Sequence, residues 1–333
     1  MCRPRFKEFS HNQECVIAIT CTRSPHNPII HLGSDERILG NINGPSLIHV
    51  PDWIDKPLGR YYLYFAHHEG KFIRMAYADD LLGPYTVYSP GVLPIEATLF
   101  DRHIASPDVH VDDQTKTIRM FYHGAGFIGP KHSKINQNTC HAASSDGLSY
   151  TCDRACIGPA YMRVWYWNGN WYGFGGGGGR ALWASDDFRK PFQPGPRLEI
   201  EGENFAPTNE LQDIKEQPNA LVFRMRHSAV DLRDHMLDVY YSNVGDHPER
   251  IKRTTIDLRG DWATWRGTTP QEILRTEKDY EGVNEPNKPS TGGADYQAVH
   301  QVRDPHIYNQ DGRKYLVYSV AGEKGLGVAE IVE

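Results

Sequence analysis

One short motif returns along this chain at intervals that a repeat architecture explains. Gly44-Pro45-Ser46-Leu47-Ile48 reappears in altered form as Ser106-Pro107-Asp108-Val109, as Gly158-Pro159-Ala160-Tyr161 and as Asp304-Pro305-His306-Ile307. Aromatic strands follow each copy: Tyr61 to Phe65, Ile118 to Tyr122, Trp171 to Phe174 and Tyr315 to Ser319. A fifth copy lacks the proline but keeps the layout, with Arg226-His227-Ser228-Ala229-Val230 before Met236 to Ser242. Five such units in 333 residues give roughly 65 residues per unit, which suits propeller blades of four strands with some long loops. The fold class read from this pattern is all-β, a five-bladed β-propeller. A single propeller domain is expected over 1–333, with 1–42 an N-terminal arm and closing strand and 43–333 the five blades. The last unit has three strands before Glu333, so its outer strand is expected from the apolar run Val16-Ile17-Ala18-Ile19, closing the ring and removing an exposed edge.

Composition narrows the partners. The chain is 39% hydrophobic and 23% charged, with Gly 31 and Pro 22 supplying turns between short strands. A net charge of -6 gives no basic field for nucleic acid or anionic lipid, and Arg224-Met225-Arg226-His227 is too short a basic run to change that. The N-terminus lacks an apolar h-region and no run of about 18 apolar residues occurs, so neither signal peptide nor membrane span is read and a cytoplasmic location is expected. Oligomeric state is not legible. The six cysteines (Cys2, Cys15, Cys21, Cys140, Cys152, Cys156) read as free thiols in a chain large enough to have its own core.

The spacing also places the chemistry. If each proline motif begins an innermost strand and the next strand returns antiparallel, strand starts and strand ends meet on one face of the ring. Strand starts supply Asn43, Asp108, Tyr161, Arg163, Arg226, His227 and Asp304, and strand ends supply His67, His68, Glu69, His123 and Glu323. Turn residues such as Asp79, Asp80, Asp146, Asp186 and Asp187 stay structural. The Gly175 to Gly179 run reads as a loop, with neither the helix nor the Lys-Ser/Thr that a phosphate loop requires. The stretch from Arg259 to Gln301 reads as a large loop overhanging the site.

These units resemble the five-bladed propeller glycosidases, glycoside hydrolase family 43 and its relatives, over about Asn43 to Glu333. The resemblance implies an aspartate base, an orienting aspartate and a glutamate acid at inner-strand starts of successive blades. Asp108 matches the orienting position; the first blade has Asn43-Gly44-Pro45 where the base is expected, and the third has Tyr161 and Arg163 where the acid is expected. Two carboxylates, or a carboxylate and a histidine, must flank the glycosidic oxygen, about 5 Å apart for retention and roughly 6.5–9.5 Å for inversion. Asp108, Asp304, Glu69 and His68 are the catalytic candidates, and His67, His123, Tyr161, Arg163, Arg226, His227, Glu323 and Asn43 the substrate-binding ones. Each has a plainer alternative: a turn cap for Asp108 and Asp304, a solvated hairpin tip for Glu69, an internal salt bridge to Asp108 or Asp304 for the arginines. No cofactor is expected, and no His-x-His or His-x3-His pair indicates a metal.

The function read from this is a glycoside hydrolase removing terminal residues of an oligo- or polysaccharide by carboxylate/histidine acid-base catalysis. Two alternatives remain: a polysaccharide lyase on a uronate-containing glycan, using the His, Tyr and Arg side chains, and a carbohydrate-binding propeller without catalysis.

Overall fold

The computed structural model describes residues 19–127, 137–175, 180–205 and 224–333. They form five sheets, one per blade, antiparallel except where Glu199–Ile200 joins Arg266–Gly267 in parallel at the edge of blade four. Blade one runs through Asn43–His49, Tyr61–Ala66, Phe72–Ala78 and Thr86–Val87; blade two through Phe100–Asp112, Thr117–Phe127, Gln137–Ser144 and Thr151–Pro159; blade three through Arg163–Trp167, Asn170–Gly175, Ala181–Ser185 and Gln193–Arg197. Blade four has Arg224–Arg233, Met236–Val244 and Ile251–Asp257 inside an edge of short strands, and blade five has Arg303–Gln310, Arg313–Val320 and Gly325–Val332.

Strand periodicity explains why these sheets stack around a ring. In Tyr61–Ala66 every residue is buried, because successive side chains point to opposite faces and each face meets another blade. Tyr62 and Tyr64 pack with Phe100, Ile104, Met120 and Tyr122 of blade two, while Leu63 and Phe65 pack with Val317, Leu326 and Val328 of blade five. Three further cores fill the other blade junctions: Phe121, Ile157 and Val164; Trp165, Phe174 and Leu237; Tyr240, Leu316 and Tyr318. Full burial of such a side chain contributes about 1.5–3 kcal/mol, so the aromatic runs are what drive blade stacking.

The proline motif has a defined local form. Gly44, Ser106 and Asp304 all have left-handed backbones (φ 58, 50 and 52), and register shifts separate Asn43 from Ser46, Ala105 from Asp108 and Arg303 from His306. Each of these inner strands therefore carries a bulge that re-aims nearby side chains, near the start in blades one and five and midway along Phe100–Asp112 in blade two. Blade four repeats the bulge without proline, between Met225 and Ser228.

Four expectations are corrected or bounded. Thr20–Arg23 pairs with the Gly325–Val332 strand and completes blade five, so the closing strand lies just beyond the expected run, of which 16–18 fall outside the described residues. Gly158-Pro159 does not start blade three: Pro159 ends the outer strand of blade two, where its carbonyl accepts from Thr139 Oγ1, and Tyr161 forms the turn into the inner strand at Arg163. Part of the Arg259 to Gln301 stretch is sheet, since Arg266–Gly267 and Gln271–Leu274 both pair with Ile251–Asp257. Of the glycine run, Gly175 closes a blade-three strand and 176–179 lie outside the described residues. Among the described residues no helix is long and apolar enough to cross a membrane.

Candidate active site

Four of the five inner strands carry the same bulge, and side chains beside it meet those of the second strands at one mouth of the ring. Blade five contributes most. Arg303, wholly buried, lies 2.6 Å from Asp295, 3.3 Å from Glu249 and 3.5 Å from Glu323, and also donates to Gln301. Glu249 in turn holds Arg226 Nε at 3.0 Å and accepts from Ser242 Oγ at 2.7 Å. Carbonyls of Thr291 and Gly293 take the rest of the Arg226 fork. The back half of the Arg259 to Gln301 stretch thus forms one rim of the mouth.

Two histidine–carboxylate pairs sit inside this frame. Asp304 Oδ1 receives His227 Nδ1 and its Oδ2 accepts from Ser319 Oγ at 3.2 Å. Glu323 lies 3.5 Å from His68 Nδ1 and accepts from Asn41, whose own Oδ1 takes the His68 backbone N–H at 2.9 Å. Burial alone would raise the Glu323 pKa; the His68 hydrogen bond and the Arg303 charge outweigh it and hold the carboxyl at about 2. Glu323 is therefore an anion at neutral pH, suited to orienting His68 rather than to donating a proton. Burial pushes His227 well below the usual imidazole range, with Arg226 and Arg163 adding to the shift. The ring is neutral, donates Nδ1–H to Asp304 and leaves Nε2 as its acceptor.

The opposite wall is aromatic. Tyr161 lies between His123 and His227, with centroid distances of 3.9 and 4.2 Å. Its backbone is left-handed (φ 59), a rare state for a bulky residue that costs of order 1–3 kcal/mol and clusters at functional sites. His123 is 1% exposed and neither ring nitrogen has a hydrogen-bond partner among the described residues. Burial, with His103 and His68 nearby, holds it neutral. A buried polar group left unpaired costs about 1–3 kcal/mol, so His123 is a site waiting for a polar partner.

The other sequence candidates divide. Asn43 is buried in the mouth, its Nδ2 3.4 Å from Asn41 Oδ1 and 3.5 Å from His68 Nδ1. Asp108 is a staple between blades: it accepts the Val164 backbone N–H at 3.1 Å and lies 3.1 Å from His110 Nε2. Burial opposes its ionisation, yet His110 and Arg163 hold it at about 2. Arg163 donates from Nε to the Ser228 carbonyl and from Nη1 to those of Ser106 and Pro107, and among the described residues it makes no direct ion pair. Glu69 is exposed at the rim and hydrogen-bonds Tyr296; His67 donates to the Leu39 carbonyl and packs against the same tyrosine. Gly44 occupies the bulge position where blade five has Asp304, and a Cβ there would come 2.9 Å from Ser106 Cα. That contact explains why the first blade carries no side chain at this slot.

Sequence reasoning missed Asn41, Glu249 and Asp295, which lie outside inner-strand starts and carry no motif. Among the described residues no group of three or more His, Cys, Asp or Glu side chains is placed to share a metal ion.

No family model matches the chain. An uncharacterized protein of Acanthamoeba polyphaga mimivirus is 34% identical over 333 residues, spanning 93% of this chain and 89% of its own length. Among solved structures, a β-xylosidase superposes with TM-score 0.57 at 15% identity, over 87% of this chain and 92% of its own. A family 43 glycoside hydrolase from Xanthomonas citri gives 0.57 at 13%, over 88% and 87%, and an exo-1,5-α-L-arabinanase from a bovine ruminal metagenomic library gives 0.53 at 12%, over 88% and 93%. The chain therefore belongs to the family of the mimivirus protein, and its fold is the five-bladed propeller seen in the family 43 glycoside hydrolases.

Proposed function

We propose that the protein is a glycoside hydrolase acting on the terminal residue of a neutral oligosaccharide. The observation that carries this reading is the His227–Asp304 pair facing the His123–Tyr161 wall. Asp304 accepts the Nδ1 proton of a neutral His227, fixing the tautomer so that Nε2 can take a proton from water as the water oxygen attacks the anomeric carbon. His68, oriented by the Glu323 anion, is the group placed to return a proton to the departing oxygen. The fold neighbours, a β-xylosidase and an arabinanase by description, support a carbohydrate substrate.

The arginines favour a neutral substrate. Arg226 and Arg303 direct donors to carbonyls and carboxylates of the protein, and Arg163 directs Nε and Nη1 to carbonyls, which leaves few guanidinium donors for a uronate. The rim built from Thr291, Gly293 and Asp295 narrows one side of the mouth and favours cleavage from a chain end.

The test is incubation with a panel of plant, algal and microbial oligosaccharides, following new reducing ends together with ultraviolet absorbance of a new conjugated double bond. Reducing ends without absorbance, lost in Asp304→Asn and His227→Ala, are expected. Absorbance rising with product would make the enzyme a lyase. Binding without turnover would remove catalysis altogether, and loss in Asp108→Asn with Asp304→Asn active would move the chemistry to blade two.

A further inference from the structure

Blade two carries three thiols on its outer half that the mouth does not use: Cys140, Cys152 and Cys156. Cys140 and Cys156 face each other across neighbouring antiparallel strands, in a pair flanked on both sides by register shifts. The Cys140 thiol donates to the Cys156 sulfur at 3.4 Å. Directly opposed residues in antiparallel strands have Cα atoms about 4.5–5.5 Å apart, inside the range a disulfide spans. Cys152 is placed differently: it lies opposite Ala142, and its sulfur accepts from Tyr122 Oη at 3.2 Å.

We propose that Cys140 and Cys156 are a peroxide-responsive disulfide site, with Cys156 as the attacking thiol and Cys140 as the resolving one. Access and chemistry divide the roles. Cys156 is half-buried on the outermost strand whereas Cys140 is fully buried. The Cys140 hydrogen bond lowers the Cys156 thiol pKa, while that same bond and burial raise that of Cys140. The Cys156 thiolate attacks one oxygen of hydrogen peroxide, the O–O bond breaks, Cys156 becomes a sulfenic acid, and the departing hydroxide takes a proton from solvent and leaves as water. The Cys140 sulfur then attacks the sulfenic sulfur, its proton leaves with the hydroxyl as a second water, and the S–S bond forms. Peroxide is the oxidant, reduced to water, and the two thiols are oxidised by two electrons.

The location ties this site to the mouth. Thr139, next to Cys140, lies opposite His123, and the Cys156 strand runs three residues on to Pro159 before the turn at Tyr161. The disulfide would tie together the two strands that flank the His123–Tyr161 wall.

The experiment treats the folded protein with hydrogen peroxide, blocks remaining thiols, and maps peptides by mass with and without dithiothreitol. A Cys140–Cys156 crosslink, two hydrogens lighter and reversed by dithiothreitol, is expected in the native protein and in Cys152→Ser. In Cys156→Ser, Cys140 should stay reduced at the same peroxide dose. Overturning outcomes are a link that includes Cys152, separate over-oxidation of the two thiols, or both thiols still free at a dose that crosslinks or oxidises the urea-unfolded chain.

Discussion

The two halves of the mouth handle their polar groups in opposite ways. On the side of blades four and five, charges neutralise one another: Arg303 against Glu323, Glu249 and Asp295, Arg226 against Glu249, His227 against Asp304. On the side of blades two and three, His123 has no partner for either nitrogen among the described residues and lies beside a strained Tyr161, and the carboxylate of Asp108 is spent on joining two blades. The contrast teaches that burial alone does not tell a reagent from a staple: Asp304 and Asp108 are both buried, and they differ in the partners they hold. A saturated wall holds geometry and charge, and an unsaturated wall is free to accept a ligand.

The largest expected effect breaks the proposed reactive pair, His227 and Asp304. Asp304→Asn should lower kcat/KM by about 10³-fold with the fold intact by circular dichroism, because the neutral amide no longer offsets the charge His227 gains on taking a proton and its NH2 can donate to Nδ1 and hold the wrong tautomer. Next, Arg303→Met should cost about 3–5 kcal/mol in urea unfolding, since it strands three carboxylates that now share one guanidinium.

Asp108→Asn sharpens the comparison from the other side. Its pKa falls from 3.8 unfolded to about 2 folded, so its contribution of about 2 kcal/mol is present above pH 4 and lost as pH falls toward 2. The variant should be less stable at pH 7, equal to the native protein near pH 2, and nearly unchanged in kcat/KM; a large activity loss would erase the distinction between the two walls. The smallest effect is expected at His123→Phe. It removes two unpaired nitrogens, so stability should hold or rise by about 1 kcal/mol, while KM rises about tenfold if this wall takes the sugar.

Much of this architecture is legible in the sequence because blade stacking depends on local patterns. Aromatic runs such as Tyr61 to Phe65 announce strands buried on both faces, and the prolines after Gly44, Ser106 and Asp304 mark inner-strand bulges. The false member, Gly158-Pro159, shows the limit. Its dipeptide looks the same, but long-range pairing of Cys140 with Cys156 and of Asn138 with Pro159 keeps it in the preceding blade. Partnership was harder still to read. His227 with Asp304 and His68 with Glu323 are brought together across 77 and 255 residues of chain, and no local spacing encodes such a meeting.

The seam in blade five has a consequence for how the protein is made. Thr20–Arg23, synthesised early, pairs with Ala329 to Val332, synthesised some three hundred residues later. Until that late strand leaves the ribosome, the early one remains an unpaired edge and the ring stays open. Asp304 and Glu323 both belong to the blade completed in this step. A nascent chain stalled before Gly325–Val332 would therefore leave the fifth blade unfinished and the mouth without one of its walls.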